Sequence, residues 1–243
     1  MSKQSGLGQQ FYLDGVDLSG DTGAANSISS PRMVQPVTGI DKYAFERIHL
    51  LKDGAFNWQS WWNPTGAHAE LSTLPTGDRI ANWLTGTTLG DPAFGVVCKQ
   101  LSYDPTRAAD GSMTIAVQGQ ANGFGLEWGK TLTAGAADFT GAANGTGVDF
   151  AASTDFGLQA YLQVLEFTGT SVTVTLQDSA NGTDWAGIGS GVAFAAATAE
   201  GAQRIQTDRD ETIRQHLRIV VSGTFDTATL AVVVVKNKVE TLF

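Results

Sequence analysis

The side chains able to do chemistry are few and scattered. Three histidines, His49, His68 and His216, stand in neither an HxH nor an HExxH spacing, so no zinc-binding pair is recognisable. Cys98, the single cysteine, rules out a disulfide within the chain. Flanked by Val97 and Lys99 in a strand-like run, it reads as a buried packing residue rather than a nucleophile. No GxSxG elbow exists to present a serine. The glycines of GFGLEWG fall at 123, 125 and 129, off the GxGxxG spacing, and no helical pattern follows to receive a phosphate.

Carboxylates are the remaining candidates. Asp14, Asp17 and Asp21 lie in DGVDLSGD, and Asp208, Asp210 and Glu211 lie in TDRDET; neither stretch has the EF-hand pattern, and both have the composition of ordinary loops. A glycosidase needs only two carboxylates, whose pairing in space cannot be read from spacing. The expectation is a non-enzyme with no catalytic residues, no cofactor and no metal site. The formal charge of −9, with a pI of about 4.7, argues against a phosphate-gripping surface, because nucleic-acid affinity comes mainly from Lys and Arg displacing counterions. The longest apolar run, Leu230 to Val235, is too short to cross a bilayer, and MSKQSGLGQQFYLDG has no signal-peptide core. The expected setting is soluble, after synthesis in a cytoplasm, with no membrane partner.

The elements that must position these residues are strands. Glycine accounts for 29 of 243 residues and only 16% are charged, which favours a loop-rich β protein. All six prolines lie in the first 105 residues and five of the six tryptophans before residue 130. The small, polar stretch 133–156 then reads as a connection. Two domains are expected: 1–135, with an extended N-terminal arm over 1–38; a linker at 136–156; and a sandwich at 157–243. In the sandwich, 157–167, 171–179, 212–222 and 227–236 are strand-like, with Leu217, Ile219 and Val221 on one face. In the first domain, short helices are expected at 41–48, 68–74 and 76–84. Ile80, Trp83 and Leu84 are spaced as one helical face, and GAFNWQSWW is expected as a strand with Phe56, Trp58 and Ser60 together.

AFGVVCKQLSY (93–103) and SMTIAVQGQ (112–120) read as a hairpin-like pair joined by DPTRAADG. Alternation puts Ile115 and Val117 into protein and Thr114, Ala116 and Gln118 on a small or polar face. If the sandwich binds glycans, Trp185 or Phe194 would be the stacking candidates.

LDGVDLSGDTGAANSISS (13–30), VTGIDKYAFERI (37–48), LPTGDRIANWLTGTTLGDPA (74–93) and KQLSYDPTRAADGSMTIAVQGQANGFGLEWGKTLTAG (99–135) resemble the major tail proteins of long-tailed actinobacterial phages. The resemblance continues through GTGVDF, QAYLQVLEFTGTSVTVTLQDSANG and the terminal VVVVKN, so it covers nearly the whole chain. It implies a mainly β protein: a tail-tube-like β-barrel or sandwich with short helices, followed by an antiparallel β-sandwich that decorates the outside. It also implies stacked hexameric rings whose sheets join around a lumen that conducts DNA without binding it. The partners would be copies of itself and the tape-measure, terminator and distal tail proteins of the same virion. On this reading Thr114, Ala116 and Gln118 are the lumen candidates. The alternative is a capsid decoration or virion surface protein whose sandwich binds host surface glycans; a carbohydrate-active enzyme is the third class.

Overall fold

A computed structural model describes residues 5–189 and 192–241. The protein is mainly β, with antiparallel pairing throughout and one five-residue helix, Ala67–Leu71, among the described residues. The chain forms two compact units, 1–20 with 80–95 and 128–243, and 21–79 with 96–127. This differs from a division near residue 135, because 1–20 and 80–95 pack with the C-terminal half of the chain.

The first unit is organised by two long strands, Leu158–Ser179 and His216–Lys236, paired antiparallel along nearly their whole length. At 22 and 21 residues they far exceed the usual strand of roughly 5–6 residues. Register shifts interrupt the ladder near Val164 and Gly169. Gly169 and Gly223 mark the bend: φ is +148° and +125°, and a Cβ at either would fall 2.3 Å from partner-strand backbone. Only glycine can hold those positions.

Alternation gives this pair two faces. Leu158, Leu162 and Val174 meet Ile219, Leu230 and Val232 on one, in a core completed by Leu132, Phe194 and Ile213. The other face, Gln159, Tyr161 and Gln163, is also fully buried. It lies beneath 10–18 and 80–95: a Cβ on Gly95 would sit 2.4 Å from the Tyr161 ring, and Gln163 reaches the backbone of Gly15 and Ile80. Gln10–Leu13 pairs with Arg79–Leu84, and Phe11, Tyr12 and Leu13 are wholly buried.

Three sequence expectations are corrected here. Residues 76–84 are not helical; they include the strand Arg79–Leu84. The stretch 136–156 is not a free linker, since Ala137–Phe139, Ala143–Asn144 and Val148–Asp149 pair in turn with His216–Lys236. Residues 1–38 are not simply an arm: 1–4 lie outside the described residues, 10–13 enter the core, and 22–29 join a sheet.

In the second unit the strand order is Pro92–Gln100, Met113–Ala121, Ala55–Trp61, Thr22–Ser29, with Asp104–Arg107 also pairing with Met113–Ala121. The sheet is open rather than a closed barrel among the described residues. Phe56, Trp58, Ser60, Ile115, Val117 and Cys98 form its buried face. The helix Ala67–Leu71 adds Ala67 and Leu71, and Leu71 O accepts from Gln100 Nε2 at 2.7 Å. Gln100 in turn accepts from buried Arg79 at 2.8 Å, and Arg79 also pairs with Glu70. A separate two-stranded sheet, Arg32–Pro36 with Arg47–Lys52, replaces the helix expected at 41–48.

Candidate functional site

The second unit's sheet carries the residues that sequence alternation singled out. Ile115 is cross-strand from Ser60, Val117 from Trp58 and Gly119 from Phe56, and Phe56 and Trp58 stack at 5.0 Å. These side chains point inward because they are apolar and the pleat sends alternate residues to one side. Thr114, Ala116 and Gln118 therefore take the opposite face, across from Trp61, Gln59 and Asn57. Ala116 and Gln118 are exposed, Thr114 is half-buried, and Trp61 is 52% exposed.

This outer face carries two charges, both on strands paired with Met113–Ala121. Asp104 lies at one flank, opposite Ala116, and Lys99 at the other, opposite Gln120. Lys99 is held at 2.8 Å by Asp78, whose carboxyl is kept below its usual range by hydrogen bonds from Lys99 and Asn122. The lysine is thus already paired within the chain. The last strand in the order, Thr22–Ser29, reads TGAANSIS and contains neither a charge nor a proline. Lys, Pro and inward-turned charges are the devices that normally keep a sheet edge from pairing with another chain. Two register shifts against Ala55–Trp61 are the one such feature here.

The sugar-stacking candidates fare differently. Phe194 is 2% exposed within the first unit's core, so it presents no ring to a ligand and is not a surface-binding residue. Trp185 is half-buried; Arg218 lies 4.5 Å from its ring centre and Gly147 abuts its edge. Gln177 Oε1 accepts two hydrogen bonds from Arg218, which fixes the guanidinium over the indole.

The three carboxylates of the first acidic stretch each accept a backbone N–H. Asp14 accepts from Ile80 N at 2.7 Å, Asp17 from Ser19 N at 2.8 Å, and Asp21 from Ala67 N at 2.8 Å. Among the described residues no group of three His, Cys, Asp or Glu is placed to hold a metal ion. Cys98 is 1% exposed, packed where Gly119 leaves room for its sulfur. His68 stacks on Trp62 at 4.2 Å and shares a 2.6 Å hydrogen bond with the Tyr103 hydroxyl. No helix is long and apolar enough to cross a membrane among the described residues.

The sequence reading missed the 32–52 hairpin. Of residues 31–51 only Thr38 is not exposed, yet Ile40, Tyr43, Phe45 and Leu51 are among them, at 109, 107, 71 and 76% exposure. The signal was available as the apolar content of IDKYAFERIHLL, but a helix was expected to bury it.

No protein-family model matches the chain, and no curated protein matches it either. Among solved structures it is similar to the Dit (gp 19.1) protein of phage SPP1, described as a paradigm of the hub adsorption apparatus in phages infecting Gram-positive bacteria. The identity is 8% and the TM-score 0.34, over 94% of this chain and 99% of that one. A likeness at that level defines neither a family nor a role.

Proposed function

We propose that this chain is a structural virion protein, a major tail protein that polymerises through the second unit's sheet into stacked hexameric rings forming a DNA-conducting tube. The observation that carries the reading is an open sheet combining an uncharged outer strand, Thr22–Ser29, with a polar face centred on Ala116 and Gln118, whose cross-strand charges are the Asp104 carboxylate and the ion-paired Lys99. Pairing that strand with a neighbouring copy removes an edge that is otherwise a liability. A wet face without free Lys or Arg lets DNA pass without being gripped, since each phosphate contact adds affinity by counterion release. The sequence resemblance to major tail proteins supports the same reading, on which Thr114, Ala116 and Gln118 would line the lumen.

The test is a lysine on the outer strand. Ser27 is exposed and sits mid-strand, so Ser27→Lys adds a charge that a paired neighbour must desolvate. By sedimentation velocity and negative-stain imaging, the parent chain forms rings or tubes, while Ser27→Lys stays folded and monomeric. A parent that remains monomeric at high concentration, or a Ser27→Lys variant that polymerises equally well, refutes the proposal.

A further inference from the structure

Three Asn-Gly pairs occur in the chain, at 122–123, 144–145 and 181–182. Lacking a Cβ, glycine presents the least hindered backbone nitrogen, which can close on the side-chain carbon of a preceding asparagine. Closure needs two freedoms. The glycine N–H must not be held by an acceptor, and the asparagine carbonyl must be free to turn toward it.

The fold withholds these from two of the pairs. Asn181 Oδ1 accepts from Ser179 Oγ at 3.0 Å, Thr183 N at 3.0 Å and Asp184 N at 2.9 Å, while its Nδ2 donates to Asp184 at 2.7 Å. Gly182 N donates to Ser179 Oγ at 3.0 Å. Asn144 is exposed, but Gly145 N donates to Ile219 O at 2.9 Å, and a Cβ on Gly145 would fall 2.7 Å from Ile219 Cγ1.

The pair at 122–123 has both freedoms. The two residues are exposed in the turn that follows Met113–Ala121. Gly123 N donates to no group among the described residues, its φ is +75°, and nothing lies within 4 Å of where a Cβ would stand. The Asn122 backbone is anchored by its N–H to Val97 O. Its side chain is held only through Nδ2, which donates to Asp78 at 2.8 Å, so the carbonyl end is free.

We propose that Asn122 is a self-modification site, at which the Gly123 nitrogen displaces the side-chain amide and leaves a second carboxylate beside Asp78 and Lys99. The bond from Gly123 N to Asn122 Cγ forms and the Cγ–Nδ2 bond breaks. Nδ2 departs as ammonia, carrying the proton that the glycine nitrogen gives up. Water then opens the cyclic imide at either carbonyl, giving aspartate or isoaspartate, and nothing is oxidised or reduced. Asp78 loses a donor and gains a like charge, so two carboxylates share the lysine that Asp78 now holds at 2.8 Å. This chemistry belongs to the single chain and does not depend on assembly.

The experiment incubates the full chain in mildly alkaline buffer, folded or in urea, and follows each Asn-Gly peptide by mass spectrometry. In the folded chain Asn122 is converted on the order of tenfold faster than Asn144 or Asn181, whose glycine N–H must first break a hydrogen bond. In urea the three rates converge, because the dipeptide is the same. Equal rates in the folded chain, a faster Asn144 or Asn181, or conversion of Asn122 in urea alone overturns the proposal. Asn122→Asp fixes the aspartate product. By carbon-detected NMR its Asp78 carboxyl titrates at higher pH than in the parent, since the hydrogen bond from Asn122 helps to hold that group below its usual range. An unmoved Asp78 titration overturns the placement of the new carboxylate.

Discussion

Gln159 and Gln163 offer a paired test of how the first unit is built. They lie two residue pairs apart on one strand, share a face, and are both 0% exposed. Gln163 is fully engaged: its Oε1 accepts from Gly15 N at 2.7 Å, and its Nε2 donates to Ile80 O at 3.0 Å and Asn82 Oδ1 at 2.7 Å. Neither amide atom of Gln159 has a hydrogen-bond partner among the described residues. Leucine has nearly the volume of glutamine, so the same substitution isolates the polar term at both sites. In Gln163→Leu, the Ile80 carbonyl keeps a bond from Asp14 N, but the Gly15 N–H and the Asn82 carbonyl are stranded in a buried setting. At about 1–3 kcal/mol for each of the two stranded groups, the loss is roughly 2–6 kcal/mol. Gln159→Leu strands nothing and removes a desolvated amide, a gain of about 1–3 kcal/mol on the same scale. For a chain of this size each kcal/mol moves Tm by roughly 2–4 °C, so thermal unfolding should separate the two variants by at least about 6 °C, in opposite directions. Urea midpoints should agree. If both substitutions shift Tm the same way, 10–18 and 80–95 do not cover this face as described.

Val117 is 1% exposed opposite Trp58, so Val117→Asp should cost several kcal/mol and abolish cooperative folding by circular dichroism, whereas exposed Gln118→Lys should stay within about 0.5 kcal/mol of the parent. Because Tyr161, Val233 and the wholly buried Gln163 need cover from earlier residues, a fragment covering 156–243 should show no cooperative melt; a sharp transition would restore an autonomous sandwich. Burial pushes the Lys236 ammonium down from 10.5 to about 8, against the opposing pull of Asp178 and Asp149. Between about pH 8 and pH 10.5 the unfolded chain holds a proton that the folded one has released, so this group's contribution to stability rises with pH across that window. Urea unfolding of Lys236→Met should show a flatter pH dependence there than the parent, and an unchanged slope counts against the assignment.

The sequence was most legible where one face of a strand meets solvent. Phe56, Trp58 and Ser60 alternate with partly buried polar residues, as do Ile115 and Val117 with Thr114, Ala116 and Gln118, and both strands lie where alternation put them. It failed where strands are covered on both sides. In Arg79–Leu84 five of six residues are buried, so the period of two vanishes and Ile80, Trp83 and Leu84 mimic a helical face. Nothing near Gln163 in sequence marks it as buried, because its cover comes from residues about 80 and 150 positions earlier. The short strands between 137 and 149 contribute mostly backbone pairing, which small polar sequences do not announce. Phe194 failed for another reason: an aromatic among alanines carries no mark of which side of the chain it faces.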